Sequence, residues 1–197
     1  MFSKRKILIS SLAAMIACTS VYADDDPYTQ AQYSIGVSGI YSTVANAIPN
    51  AIRDQNHLGF GINFTQKTSF LNNPSLFSGF EFQLNHFGSD SWNTGQSVQF
   101  NQLNVLYALH YFVIPHIELQ AKAGVGWQYN QSNNMGSNVN WFALPVVGVS
   151  ANVYVASKVS VGMSWQYTFG SGDGQALQNN HKTIAHSNYA LNLSYHF

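Results

Sequence analysis

Two short fragments of the sequence bring together residue types that can activate a serine. Asp90 and Ser91 follow His86 in one polar segment, and His186 directly precedes Ser187. Hydrolysis by a serine needs its hydroxyl within hydrogen-bond reach of a histidine, which an acid in turn orients. Neighbouring residues of a strand point to opposite faces, however, and Asp and Ser are ordinary turn residues. The sequence therefore predicts no enzyme and no catalytic residue.

The remaining histidines show no close spacing typical of metal ligands. They are His57, His110, His116, His181 and His196. The segment 170–174, Gly-Ser-Gly-Asp-Gly, favours a glycine-rich loop over a calcium-binding loop. We therefore expect neither a metal nor a cofactor.

The N-terminus has the pattern of an export signal. Residues 4–6 are Lys-Arg-Lys, residues 7–17 are apolar, and Val21-Tyr22-Ala23 supplies a small-residue cleavage site. The apolar stretch is roughly half of the ~20 residues that a membrane-spanning helix needs. We predict that residues 1–23 are removed and that the mature chain covers residues 24–197.

Removal of this segment leaves a mature chain without cysteine, because Cys18 is the only one. Acylation of Cys18 is the alternative, although Met15 makes a poor lipoprotein-processing site. The mature chain has five Lys and Arg against eight Asp and Glu, a net charge of −3. This balance argues against a nucleic-acid partner.

Composition then favours a membrane protein that is built from strands. Charged residues make up 8% of the chain and aromatic residues 14%, whereas soluble domains have about 25% charged residues. No apolar run after residue 23 approaches the ~20 residues of a membrane-spanning helix. Both facts fit a transmembrane β-barrel, in which apolar residues face lipid and alternate with polar residues that face the lumen.

Eight segments show this alternation, and their number suits a closed antiparallel up-and-down barrel. They are residues 32–42, 57–67, 78–87, 99–111, 117–129, 141–154, 159–169 and 184–197. Long connections (43–56, 88–97, 130–140 and 170–182) alternate with generally shorter ones (68–77, 112–116 and 155–158). Long extracellular loops and short periplasmic turns would place both termini in the periplasm. A soluble β-sandwich or lipocalin-like barrel is the alternative, but the polar face has too few charges for a water-exposed surface.

The last segment predicts how the barrel closes. Its odd positions from Tyr189 to Phe197 are all apolar or aromatic, and the chain ends on Phe197 without a polar tail. Every backbone amide must be paired in hydrocarbon, so this strand is expected to pair with the first one. We expect Tyr195 and Phe197 to lie at the periplasmic interface, with Tyr33, in an aromatic girdle.

A family resemblance rests on these features. The terminal Tyr195-His196-Phe197, the eight alternating segments and residues 121–129 resemble the small eight-stranded outer-membrane proteins, namely the OmpA transmembrane domain and the OmpX/Ail family. The resemblance implies a location in the cell outer membrane, in contact with outer-membrane lipid and lipopolysaccharide. It also implies that Phe197 is part of the signal read by the barrel-insertion machinery.

An eight-stranded barrel is just wide enough for its own side chains, so the lumen is expected to be filled. Alternation places Glu81, Glu118 and Lys122 inside, where Glu81 and Lys122 are expected to form a structural ion pair. A gate or a small-ion path is the alternative. We predict a non-enzymatic role carried by four extracellular loops: surface interaction, such as adhesion or host contact, or envelope integrity. A lipid A-modifying enzyme and a narrow small-solute channel are the alternatives.

Overall fold

The computed structural model describes residues 32–44, 56–71, 73–91, 97–132, 136–170 and 185–197. The predicted export signal lies outside these ranges. Within them, no helix has the length and apolar character required to cross a membrane.

Eight antiparallel strands form one closed barrel in which each strand pairs with its neighbours in the chain and the last pairs with the first. The strands are β1 (Tyr33–Val44), β2 (Asn56–Phe70), β3 (Asn73–Ser91), β4 (Ser97–Ile114), β5 (Ile117–Ser132), β6 (Gly136–Ala156), β7 (Val159–Thr168) and β8 (His186–His196). The predicted up-and-down barrel is confirmed.

The strand register shows how strongly the strands are staggered. Following directly paired residues once around the barrel from Tyr33 leads back to β1 at Thr43. This offset of ten residues requires strands that are tilted against the barrel axis, typically by about 35–45°. Residues that are distant in sequence therefore meet inside the barrel at one height.

Several connections are shorter than predicted. The predicted turn 68–77 is wrong for most of its length, because β2 continues to Phe70 and β3 begins at Asn73. A proline is tolerated at the start of a strand, and Pro74 occupies the second position of β3. At the opposite end, β3 and β4 extend into the predicted loop 88–97, and β5 and β6 extend into 130–140.

The two ends of the barrel differ in these connections. We call the end with both terminal strand ends and the connections 71–72, 115–116 and 157–158 the turn end. The other end, with connections 45–55, 92–96, 133–135 and 169–185, is the loop end.

The outer surface of the barrel is apolar. Leu58 is 75% exposed and Leu191 is 57% exposed, and most outward side chains of every strand are aliphatic, aromatic or alanine. The lumen contains the buried polar side chains. A soluble barrel has the opposite arrangement, so the outer surface is suited to lipid.

Barrel closure occurs at the chain end. Eleven residue pairs join β1 to β8, and beyond them Tyr33 N donates to Phe197 O while Phe197 N donates to Tyr33 O. The rings of Tyr33 and Phe197 stack with centroids 6.1 Å apart, and the ring of Tyr195 stacks on Phe197 at 6.3 Å. All three rings lie on the outer surface at the turn end.

The loop end is uneven. The last pair between β6 and β7 is Val146 with Thr168, whereas β6 continues through residues 136–145 with β5 beside it. β4 extends along β5 as far as the pair Val98 with Ser132. We call these stretches, residues 97–101, 127–132 and 136–145, the rim wall.

Candidate functional site in the lumen and at the rim

Charged side chains are concentrated inside the barrel. Among the residues that the structure describes, six are Lys, Arg, Asp or Glu, and four of these are buried in the lumen. These four are Lys67, Glu81, Glu118 and Lys122. Two cations and two anions balance, as burial of charge requires.

Glu118 is the centre of the larger group, at the turn end. Its Oε1 accepts a hydrogen bond from His110 Nδ1 at 2.7 Å and lies 3.7 Å from Lys67 Nζ. Its Oε2 accepts from Asn152 Nδ2 at 3.1 Å. Glu118 is fully buried and Lys67 is 3% exposed, so each charge depends on the other for compensation.

Tyr154 completes this group. Lys67 Nζ donates to Tyr154 Oη at 3.2 Å, and Tyr154 Oη donates to Glu118 Oε2 at 3.5 Å. The ammonium also lies 5.5 Å from the centre of the Phe112 ring, within the range of a cation–π contact. We call Lys67, His110, Glu118 and Tyr154 the turn-end cluster.

Aromatic rings fill the space around the turn-end cluster. Phe77 and Phe112 pack edge to face with centroids 5.6 Å apart, and Phe112 contacts Tyr154 at 5.8 Å. The ring of His196 packs against that of Tyr154 with centroids 4.7 Å apart, and its Nε2 lies 2.8 Å from Ser160 Oγ. All five side chains named here are buried, so the lumen is filled at this end.

Glu81 and Lys122 form a second ion pair farther from the turn end. Lys122 Nζ lies 2.6 Å from Glu81 Oε2, and Gln83 Nε2 donates to Glu81 Oε1 at 2.6 Å. Gln83 Oε1 in turn accepts from Asn104 Nδ2 at 2.9 Å and from Gln166 Nε2 at 3.0 Å. This mid-lumen pair therefore joins β3 to β5, and its amide neighbours extend the network to β4 and β7.

A third group of hydrogen-bonded side chains spans the lumen near the loop end. His186 Nε2 donates to Gln102 Oε1 at 2.7 Å, and Gln128 Nε2 donates to His186 Nδ1 at 3.3 Å. The buried imidazole of His186 thus joins Gln102 to Gln128. Gln102 Nε2 also donates to Thr168 Oγ1 at 2.9 Å. We call Gln102, Gln128, Thr168 and His186 the loop-end plug.

The structure thus divides the three predicted lumen charges between two groups. Glu81 and Lys122 face each other, whereas Glu118 belongs with Lys67 and His110. Lys67 was not predicted to face the lumen, because the predicted second segment ended at that residue. The signal was present, since Lys67 continues the inward positions that Thr65 occupies.

The histidines of the two serine–histidine fragments lie on different surfaces of the barrel. His86 lies on the outer surface, where its Nδ1 is 2.7 Å from Asn101 Oδ1 and its ring packs on Phe60 at 5.1 Å. His186 belongs to the loop-end plug, and Ser187 is on the opposite face of β8. The side chains of Asp90 and Ser91 lie outside the described residues. No cluster of three or more metal-ligating side chains occurs in the part of the chain that the structure describes.

Solved structures are similar to this chain in fold, whereas the comparisons of its sequence found no match. No protein-family model and no curated protein matches the chain. Among solved structures, the chain is similar to Ail, the attachment invasion locus protein of Yersinia pestis, with a TM-score of 0.60 and 12% identity over 85% of this chain and 99% of Ail.

Two further structures have the same architecture. Neisserial surface protein A gives a TM-score of 0.62 with 8% identity, covering 84% of this chain and 97% of that protein. The N-terminal barrel of Pseudomonas aeruginosa OprF gives 0.51 with 14% identity, covering 85% and 100%. The chain therefore has the fold of the small outer-membrane β-barrels, and the expected resemblance in fold is confirmed.

Proposed function

We propose that this protein resides in the outer membrane and binds a partner at the cell surface through its rim wall. The observation that carries the proposal is the uneven loop end, where β6 continues ten residues past its last pair with β7. The short connections at the turn end are typical of periplasmic turns, which would direct the rim wall outward. The polar groups of the lumen, by contrast, are largely engaged with one another.

The free edge of β6 is the part of the rim wall best suited to recognition. Phe169 N donates to Pro145 O, and beyond this bond residues 136–144 have no strand partner on that side among the described residues. An unpaired strand edge offers backbone donors and acceptors to another extended chain. Residues 136–144 include no charged side chain, so charge would not repel a neutral or weakly charged strand.

The charge of the loop-end segments argues for a protein partner rather than a polyanion. One structure of Ail, similar to this chain with a TM-score of 0.55 and 14% identity, contains the heparin analogue sucrose octasulfate. In this chain the predicted loops contain two basic residues, Arg53 and Lys182, against three acidic ones, Asp54, Asp90 and Asp173. Recognition of sulfated sugars relies on clustered basic groups, so we propose an uncharged polypeptide segment as the partner.

A shortened rim wall tests the proposal. Residues 130–138 are replaced by Asn-Gly, which makes the pair Tyr129 with Val139 the last of the β5–β6 hairpin. Bacteria that produce the wild type should adhere to a cultured epithelial monolayer, and bacteria with the shortened variant should lose most of that adhesion. Surface amounts are matched by heat-modifiable gel mobility, and Val139→Pro provides a second variant that alters the hairpin at one position.

The same strains separate adhesion from envelope integrity, which is the second role expected from the sequence. Sensitivity to detergent and to large antibiotics is measured beside adhesion. Unchanged adhesion by both folded variants would refute the rim-wall proposal. Unchanged adhesion together with increased detergent sensitivity would favour the role in envelope integrity.

We also propose that the protein has no enzymatic activity. The geometry supports this proposal at one of the two fragments, because His186 is buried in the loop-end plug and Ser187 lies on the opposite face of β8. A test is lipid A mass spectrometry on cells with and without the protein. Loss or gain of an acyl chain that depends on the protein would overturn the proposal.

A further inference from the structure

A small cavity lies beside the mid-lumen pair. Its volume is about 20 Å³, and its lining includes Glu81, Lys122, Ser164, Gln166, Asn188 and Asn192. A space of about 10–15 Å³ is enough for one water molecule when two to four polar groups surround it. The size and the lining of this cavity both meet that condition.

The hydrogen bonds of Lys122 are incomplete without an occupant. Its ammonium has three donors, and Glu81 Oε2 is its partner at 2.6 Å. Within the described ranges, no second acceptor contacts this ammonium, although Lys122 is only 8% exposed. Two N–H donors of a buried cation therefore adjoin the cavity.

An acceptor without a donor lies on the same cavity. Asn188 is 4% exposed, and its Oδ1 has no hydrogen-bond partner in the described part of the chain. Asn192, another lining residue, uses its Nδ2 to donate to Ser164 Oγ at 3.1 Å. The cavity is thus lined by a cation with donors to spare and by an acceptor without a donor in the described part of the chain.

Charge and access restrict the occupant further. A cation would meet the ammonium of Lys122, and an anion would meet the carboxylate of Glu81, each at the cost of like-charge repulsion in a poorly hydrated space. The turn-end cluster lies on one side of the cavity, and the loop-end plug lies on the other. We propose that the cavity is a binding site for a single ordered water, which accepts from Lys122 and donates to Asn188, and which excludes small ions.

A crystal structure of the wild type at a resolution that shows ordered water is the direct test. We expect one peak within hydrogen-bond distance of Lys122 Nζ and no anomalous signal after a soak in rubidium bromide. An empty cavity in a map that shows other internal waters would overturn the proposal, and so would anomalous density at this position.

Two variants test whether Asn188 helps to bind the water. Asn188→Leu should remove the water peak, because the acceptor is lost and the side chain occupies part of the space. Ser42→Ala is the matched control, since Ser42 Oγ is also buried without a partner in the described residues but does not line the cavity. The water should remain in Ser42→Ala. A water that also persists in Asn188→Leu would overturn the assignment, and if that variant does not fold, the wild-type map decides the question.

Discussion

The turn-end cluster and the rim wall are built from the same strands and use polar groups in opposite ways. In the turn-end cluster, Glu118 alone has polar contacts from β2, β4 and β6. In the rim wall, residues 136–144 of β6 have strand partners on one side only within the described ranges. At the turn end, the polar side chains hydrogen-bond to one another inside the barrel. At the loop end, some backbone groups of β6 have no partner among the described residues.

We propose that stability and recognition are divided between the two ends in a barrel of this size. An eight-stranded lumen has little space beyond its own side chains, so polar groups placed inside must satisfy one another. Strand edges beyond the rim have no such constraint and can accept a partner. We therefore expect lumen substitutions to change folding and rim-wall substitutions to change binding.

The largest expected effect is at the chain end, where the barrel closes. Tyr195→Ser/Phe197→Ser should greatly reduce the folded protein in the outer membrane and leave unfolded chain in the periplasm. Deletion of Phe197 should act similarly, because it leaves the N–H and C=O of Tyr33 without their partners at the end of the closing strand pair. Heat-modifiable gel mobility of the membrane fraction measures the outcome.

Phe169→Ser is the control, because it also removes an exposed aromatic side chain. Phe169 is 46% exposed and lies at the loop end of β7, away from the closing pair. It should assemble in nearly normal amounts. Equal assembly defects at both ends would contradict a special role of the terminal residues.

A smaller but still large effect is expected in the turn-end cluster. Glu118→Ala should lower the free energy of unfolding by about 3–5 kcal/mol, because it leaves the buried Lys67 without its anion. Urea titration of the protein folded in lipid vesicles measures this change. Addition of Lys67→Met should restore much of the loss, and adhesion per folded molecule should not change.

Glu81→Ala compares the stability of the mid-lumen pair with that of the turn-end cluster. It should cost less than Glu118→Ala, because Lys122 adjoins the cavity and can be hydrated there. A cost as large as that of Glu118→Ala would show that the mid-lumen pair is as poorly hydrated as the turn-end cluster.

The smallest of these effects separates the two faces of β8. Leu193→Lys places a charge on the outer surface and should cost about 2–4 kcal/mol near the bilayer midplane. Asn192→Lys, one residue away, points toward the cavity, where Glu81 and the amide side chains can compensate part of the added charge, and should cost less. Equal unfolding free energies for the two variants, measured in the same vesicles, would refute the facing assigned to this strand.

Period-two alternation predicted the fold because it depends only on which residues neighbour each other in the chain. It identified all eight strands and both faces, including the inward positions of Glu81, Glu118 and Lys122. Strand ends were harder to place. In the segments 88–97 and 130–140, Ser, Asn and Gly occupy both faces, so alternation disappears before the strand does.

The contacts between side chains inside the lumen were harder to predict from the sequence than the strands. Which residues share a height depends on the ten-residue offset around the barrel, and the sequence does not state this offset. Glu81 and Lys122 were matched from their similar distances to the turns. Glu118 was left without Lys67 and His110 because those residues come from β2 and β4, at heights that only the register defines.

We propose that the lumen is closed and that function belongs to the rim wall. Planar lipid bilayer recordings with the purified wild-type protein test whether the lumen is closed. The packed turn-end cluster and loop-end plug predict that no large, stable conductance steps occur. Reproducible steps of porin size would contradict the account, because they require an open path through the residues that fill the lumen.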